Sequence, residues 1–256
     1  MKNCLILGSG RSGTSMVAGS LRNAGYNMGA GLKEGTPSNP LGYFESAEIN
    51  DLNEALLAPV AAGLAGRPVT AWKLPHPPLG TDQHWLACLP PEVEVPSVPD
   101  LESRLAAAAS RAPFCYKDPR FSYTLPVWRP HLVGPDAVYV CVFRQPGRTV
   151  NSIIKDCGER DYLRGLPLPP AYLWQVWIQM YDRVVRVHRR RGRWLFLHYD
   201  QVAAGGGLRR LARFLGAPVD AGFPTPALNR SQDRGNVPRQ ARVLYWKMKM
   251  LSWLPT

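Results

Sequence analysis

Several absences narrow this chain before any motif is considered. No stretch of its 256 residues stays apolar long enough to cross a bilayer. The apolar start MKNCLILGSG is broken by a glycine-rich turn too early for a membrane span or a signal-peptide core. The five cysteines are an odd set with no Cys-x-x-Cys pair, which argues against a disulfide framework and a paired-thiol metal site. Cys4, Cys115 and Cys141 lie in apolar runs and read as buried, reduced thiols. A cytoplasmic protein without stable membrane insertion is the expectation. Acidic residues are also scarce, 19 against 31 Lys and Arg, and the formal charge of +12 favours an anionic partner: nucleotide, nucleic acid, acidic glycan or membrane surface.

The length and a hydrophobic content of 45% suffice for one core, so residues 1–256 are expected to form a single α/β domain. Short β-rich runs occur at Cys4–Gly8, Val69–Leu74, Phe114–Lys117, Ala137–Phe143 and Trp194–Tyr199. Between them, Ser12–Gly25, Leu101–Arg111, Gly147–Cys157, Ala171–Arg190 and Leu208–Leu215 carry apolar residues at helical spacing. The alternation predicts three layers: a central parallel sheet of about five strands, helices on both faces, and ligands at the carboxyl ends of the strands. The Pro-rich stretch from Ala58 to Pro99 breaks this rhythm and reads as a surface excursion. Arg189, Arg190 and Arg191 suit the negative end of the long helix that they close.

The strongest single feature is CLILGSGRSGTSMVAGSL, a strand entering GSGRSGTS and then a helix that opens near Gly13. Such a loop aims backbone N–H groups at an anion. The Walker pattern would place a lysine after Gly13, but Thr14 and Ser15 stand there and the cation has moved into the loop as Arg11. A second strand-to-helix unit, AVYVCVFRQPGRTVNSI, sets Arg144 at a strand end and Ser152 two helical turns later, a spacing that lets both converge on one phosphate.

These two units, in this order, resemble the sulfotransferase family. NPLGYFES, FCYKDPRFSYTLPVWRP and WLFLHYDQV are similar to segments of its bacterial carbohydrate-type and tyrosylprotein-type members. The resemblance implies a P-loop NTPase-like sulfotransferase fold. The donor it implies is 3′-phosphoadenosine 5′-phosphosulfate (PAPS), leaving adenosine 3′,5′-bisphosphate (PAP), with no metal. It assigns Arg11, Ser12, Gly13, Thr14 and Ser15 to the 5′-phosphosulfate, Arg144 and Ser152 to the 3′-phosphate, and Tyr199 to the adenine. Lys117 would stabilise the transferring group and Glu45 would be the base, with Glu34, Glu48 and His76 as runners-up. The bland role of Glu45 is a carboxylate at a helix N-terminus, that of His76 a surface histidine in a loop, and that of Asp118 and Arg120 a pair fixing a turn. The glycine-rich C-terminal loop of cytosolic members is absent; Arg230, Arg234 or Arg239 would close over the nucleotide instead. Trp72, Trp85, Trp174 and Trp177 are candidates for an acceptor pocket, although Trp174 and Trp177 also fit a core helix face. The acceptor expected is a hydroxyl or amine of a glycan, glycolipid or small molecule, and nucleic acid is not expected as a partner. A nucleotide or small-molecule kinase, and a non-catalytic nucleotide- or nucleic-acid-binding module, are the competing readings.

Overall fold

The computed structural model describes residues 1–36, 39–69, 73–132, 137–224 and 236–255. Its strands are β1 (Cys4–Leu7), β2 (Pro68–Val69), β3 (Leu74–Pro75), β4 (Cys115–Lys117), β5 (Val138–Phe143) and β6 (Arg193–His198). Its helices are α1 (Thr14–Gly19), α2 (Ala47–Leu64), α3 (Pro99–Ala109), α4 (Phe121–Trp128) and α5 (Pro146–Glu159), then α6 (Pro170–Arg186), α7 (Tyr199–Ala203), α8 (Gly206–Leu215) and α9 (Arg239–Leu251).

Among the described residues the main sheet has four parallel strands in the order β4-β1-β5-β6, not about five. The expected run at Val69–Leu74 instead contributes to a separate antiparallel pair, β2 with β3. Pro68 and Pro75 explain this, since each lacks the N–H that a central strand must donate. Residues 70–72, Trp72 among them, lie outside the described residues.

Alternation along each strand builds two cores. On β5, Tyr139, Cys141 and Phe143 join the aromatic layer under α2, α4 and α6, while Val138, Val140 and Val142 face the layer of α1 and α8. Burial on both faces is why these strands read as continuous apolar runs. Helix α2 runs into the expected Pro-rich excursion, because Ser46 caps its start by accepting the N–H of Ile49 and its apolar positions Ile49, Leu52, Leu56 and Leu57 are fully buried. The long helix α6 stops at Arg186, and a separate 3₁₀ turn at His188–Arg190 follows it.

Candidate functional site

The carboxyl ends of all four parallel strands open into one cavity of about 690 Å³. The loop after β1 supplies Gly10, Arg11, Gly13, Thr14 and Ser15 to its wall. β4 ends at Lys117, Arg144 follows β5 directly, and Tyr199 follows β6. The topology therefore brings together residues from opposite ends of the chain.

In the loop, Gly13 has φ 97°, and a Cβ there would lie 2.6 Å from the Tyr199 ring, so only glycine fits. Arg11 has φ 65°, a left-handed conformation that costs an ordinary residue about 1–2 kcal/mol. It turns the guanidinium so that Nε donates to Ser152 Oγ at 3.1 Å. Among the described residues no acceptor takes the N–H groups of Gly13, Thr14 or Ser15. Ser12 faces the other way: its hydroxyl donates to the Val142 carbonyl at 3.2 Å and its N–H to Ser9 O at 3.3 Å, so its side chain anchors the loop to β5 from behind.

Ser152 lies on α5, whose first turn is closed by the Gln145 side chain accepting the Arg148 N–H at 2.7 Å. Arg144 lies over Tyr199, with its guanidinium carbon 4.3 Å from the ring centroid. Burial, helped by repulsion from Arg148 and Arg11, outweighs the favourable pull of Tyr199 and Asp200 and disfavours the Arg144 cation, and a bound anion would relieve that repulsion.

Lys117 Nζ donates to Glu45 Oε1 in a buried ion pair. Burial works to raise the Glu45 carboxyl, but Lys117, Arg120 and Lys33 outweigh it and hold the group below the usual carboxylate range. Glu45 does not cap α2, because Ser46 does so. Behind this pair Asp118 is a structural hub, its Oδ2 accepting from Asn50 at 2.6 Å and Asn53 at 2.9 Å, and its Oδ1 from Arg120. Arg120 also donates to Glu54, which meets His84.

The other candidates stand elsewhere. Glu48 pairs with Arg111 outside the cavity, and Glu34 is not part of its wall. His76 is buried rather than a surface histidine; Nδ1 meets Pro77 O at 2.8 Å, and burial keeps its pKa low. Trp85 lines the cavity, whereas Trp177 is fully buried in the core and Trp174 packs against it. Arg239 opens α9 and is not in the cavity wall, and Arg230 and Arg234 lie outside the described residues.

Sequence reasoning missed the far wall, where Arg160 lies 5.1 Å from the Tyr43 ring centroid and 6.0 Å from that of Tyr162. Its Nε is 2.8 Å from Asp156 Oδ1. Ser152, Asp156 and Arg160 recur every four residues, so the period alone puts them on one face. The helix expected there stopped at Cys157 and so left Arg160 off. Seven cations (Arg11, Lys33, Lys117, Arg120, Arg144, Lys155 and Arg160) line the cavity against four carboxylates (Glu45, Asp82, Asp156 and Glu159), which gives it a net positive lining. Among the described residues no cluster of His, Cys, Asp and Glu is arranged to hold a metal ion, and no helix is long and apolar enough to cross a membrane.

The sulfotransferase domain of the Synechococcus PCC 7002 olefin synthase superposes over 100% of this chain and 98% of its own, with a TM-score of 0.51 and 16% identity. The sulfotransferase domain of the curacin biosynthetic pathway matches over 97% of each chain, again with a TM-score of 0.51, at 13% identity. The fold is that of a sulfotransferase domain. No family model matches the sequence, and no curated protein does. At such identities the shared sulfotransferase fold is carried by strand order and layer packing, and residue roles must be argued from the cavity itself.

Proposed function

We propose that the protein transfers a sulfuryl group from PAPS to a hydroxyl or amine of an acceptor. The observation that carries this reading is the Arg11–Ser152 contact, which joins the phosphate loop after β1 to the Arg144/Ser152 unit after β5 across 141 residues of chain. Two anion-binding units at one cavity suit a nucleotide with phosphates at both its 5′ and 3′ positions better than a triphosphate, whose charges lie in a row.

The residues present fit such a donor. The cavity volume is that of a nucleotide-sized pocket. The N–H groups of Gly13, Thr14 and Ser15 with Arg11 would hold the 5′-phosphosulfate, Arg144 with Ser152 the 3′-phosphate, and Tyr199 the adenine side. Bound there, the donor supplies an activated sulfuryl group whose bond to the bridging phosphate oxygen breaks as the acceptor oxygen or nitrogen bonds to sulfur. Arg11 neutralises the charge left on that bridging oxygen, and Lys117 that on the sulfuryl oxygens. Glu45 Oε1 takes the acceptor proton. Because Lys117 is what holds Glu45 acidic, drawing Lys117 toward the sulfuryl group makes the carboxylate more basic when a base is needed.

Tyr43, Trp85 and Tyr162 leave an aromatic wall for the acceptor, suited to a sugar face or a small apolar molecule. The free thiols support a reducing compartment such as the cytoplasm. Calorimetric titration with PAP in the absence of metal, beside ATP with Mg²⁺, tests the reading. Micromolar or tighter PAP binding is expected, and a preference for ATP with Mg²⁺ would overturn it in favour of a kinase.

A further inference from the structure

Helix α9 buries Ala241, Leu244 and Met248 against the domain and turns outward a face that starts with Arg239 and is apolar from Val243 on. Val243, Trp246 and Met250 follow each other at helical spacing, and Trp253 and Leu254 extend the stripe past the end of the helix. Trp246 is 63% exposed, Met250 66% and Trp253 71%, where such side chains are ordinarily hidden. At 100° per residue, Arg242 and Lys249 fall along one margin of this stripe and Lys247 along the other. No Asp or Glu occurs after Asp233.

The stripe ends at a cleft of about 360 Å³ lined by Arg193, Arg210 and Arg213 beside Phe214, Trp253 and Leu254. Among the described residues no carboxylate pairs with these three arginines. Arg210 is fixed in place, donating to the carbonyls of Ser252 and Leu254. Arg193 lies 5.6 Å over the Phe214 ring. The cleft opens at the amino end of β6, whereas the cavity opens at the carboxyl ends of the strands, so the two are separate.

We propose that α9 and this arginine cleft dock the protein on an anionic membrane surface, with Trp246, Met250 and Trp253 entering the headgroup boundary and the flanking cations meeting lipid phosphates. An apolar centre between two cationic margins is the pattern of a helix lying in the plane of an interface. Charge complementarity selects the occupant: a second copy would set these cations against their own kind, and a nucleic-acid backbone leaves Val243, Met250 and Leu254 without a partner.

Flotation with vesicles of equimolar phosphatidylglycerol and phosphatidylcholine, beside vesicles of phosphatidylcholine alone, tests this and needs neither donor nor acceptor. The full chain should float with the anionic vesicles and not with the neutral ones. The double variant Trp246→Ser with Met250→Ser should partition about tenfold less or weaker still. Arg193→Gln with Arg213→Gln should lose about thirtyfold. Thermal unfolding of both variants should match that of the parent, since all four side chains are exposed or at the rim of an open cleft. Equal partition onto both vesicle types, no partition at all, or variants that float like the parent would overturn the proposal. So would retention by RNA without flotation, or a dimer in solution that the Trp246/Met250 variant loses.

Discussion

Arg144 is the residue at which binding and stability should pull in opposite directions. Arg144→Met keeps the length and most of the packing over Tyr199 while removing the charge and its donors. A charge-assisted hydrogen bond is worth about 1.5–3 kcal/mol. Two of them lost to one phosphate, at the low end, come to about 3 kcal/mol, or a factor of about 150 in Kd. The loss should appear in full for PAP and vanish for adenosine 5′-phosphate, which lacks the phosphate that Arg144 is assigned to hold. In the unliganded protein the sign reverses. Burial and the neighbouring Arg148 and Arg11 disfavour this cation, so its removal should leave Tm unchanged or raise it. Calorimetry with the two nucleotides and a thermal melt of each protein suffice. Equal losses for both nucleotides, or a weakened PAP complex accompanied by a fall in Tm, would refute the assignment.

Three further outcomes follow from the same geometry. With Glu45 held below the ordinary carboxylate range, the acid limb of kcat/KM should lie below about pH 4.3; in Lys117→Met burial is offset only by Arg120 and Lys33, and the limb of the residual activity should move up. Burial lowers His198 to about 4 and His188 to about 3 from about 6.5 when unfolded, so both contribute stability above pH 6.5 that is lost as pH falls toward their folded values. Urea unfolding should show at least about 3 kcal/mol less stability at pH 5.5 than at pH 7.5, the buried His76 adding to the loss, and His198→Gln should remove about 1.4 kcal/mol of it. Gly13→Ala, which sets a Cβ 2.6 Å from the Tyr199 ring at a positive φ, should reduce PAP affinity at least tenfold while Gly63→Ala, which meets nothing within 4 Å, leaves it unchanged in the same titration.

Most of the residues that meet at the cavity were legible because local pattern marks the loops that carry them. Glycines and an arginine between an apolar run and a helix mark the first loop, and the spacing of Arg144 and Ser152 marks the second. Lys117 and Tyr199 stand where strands end, which in a parallel sheet is the ligand side. Arg160 was hidden because it stands just past the end of α5 at Glu159, beyond the helix expected to close at Cys157; among the described residues the sheet has one strand fewer than expected because Pro68 and Pro75 flank the run at Val69–Leu74. His76 looked like a loop histidine because its neighbours are prolines, yet its ring fills a core position between Pro77 and Cys88.

By itself the sequence determined the parallel α/β layering, the two strand-to-helix loops that meet at the cavity and the cationic character of its lining, since each rests on period, turn chemistry or charge within a short window. Tertiary structure alone decided which charges meet. Glu45 and Lys117 are 72 residues apart, and nothing local distinguishes Glu45 from Glu48, which turns away to Arg111. The same holds for Ser12, buried behind the loop that it belongs to, and for the outer face of α9, whose apolar period is shared by its buried side. A periodic pattern specifies that a helix has faces; only packing against the rest of the domain chooses which of them is left in water.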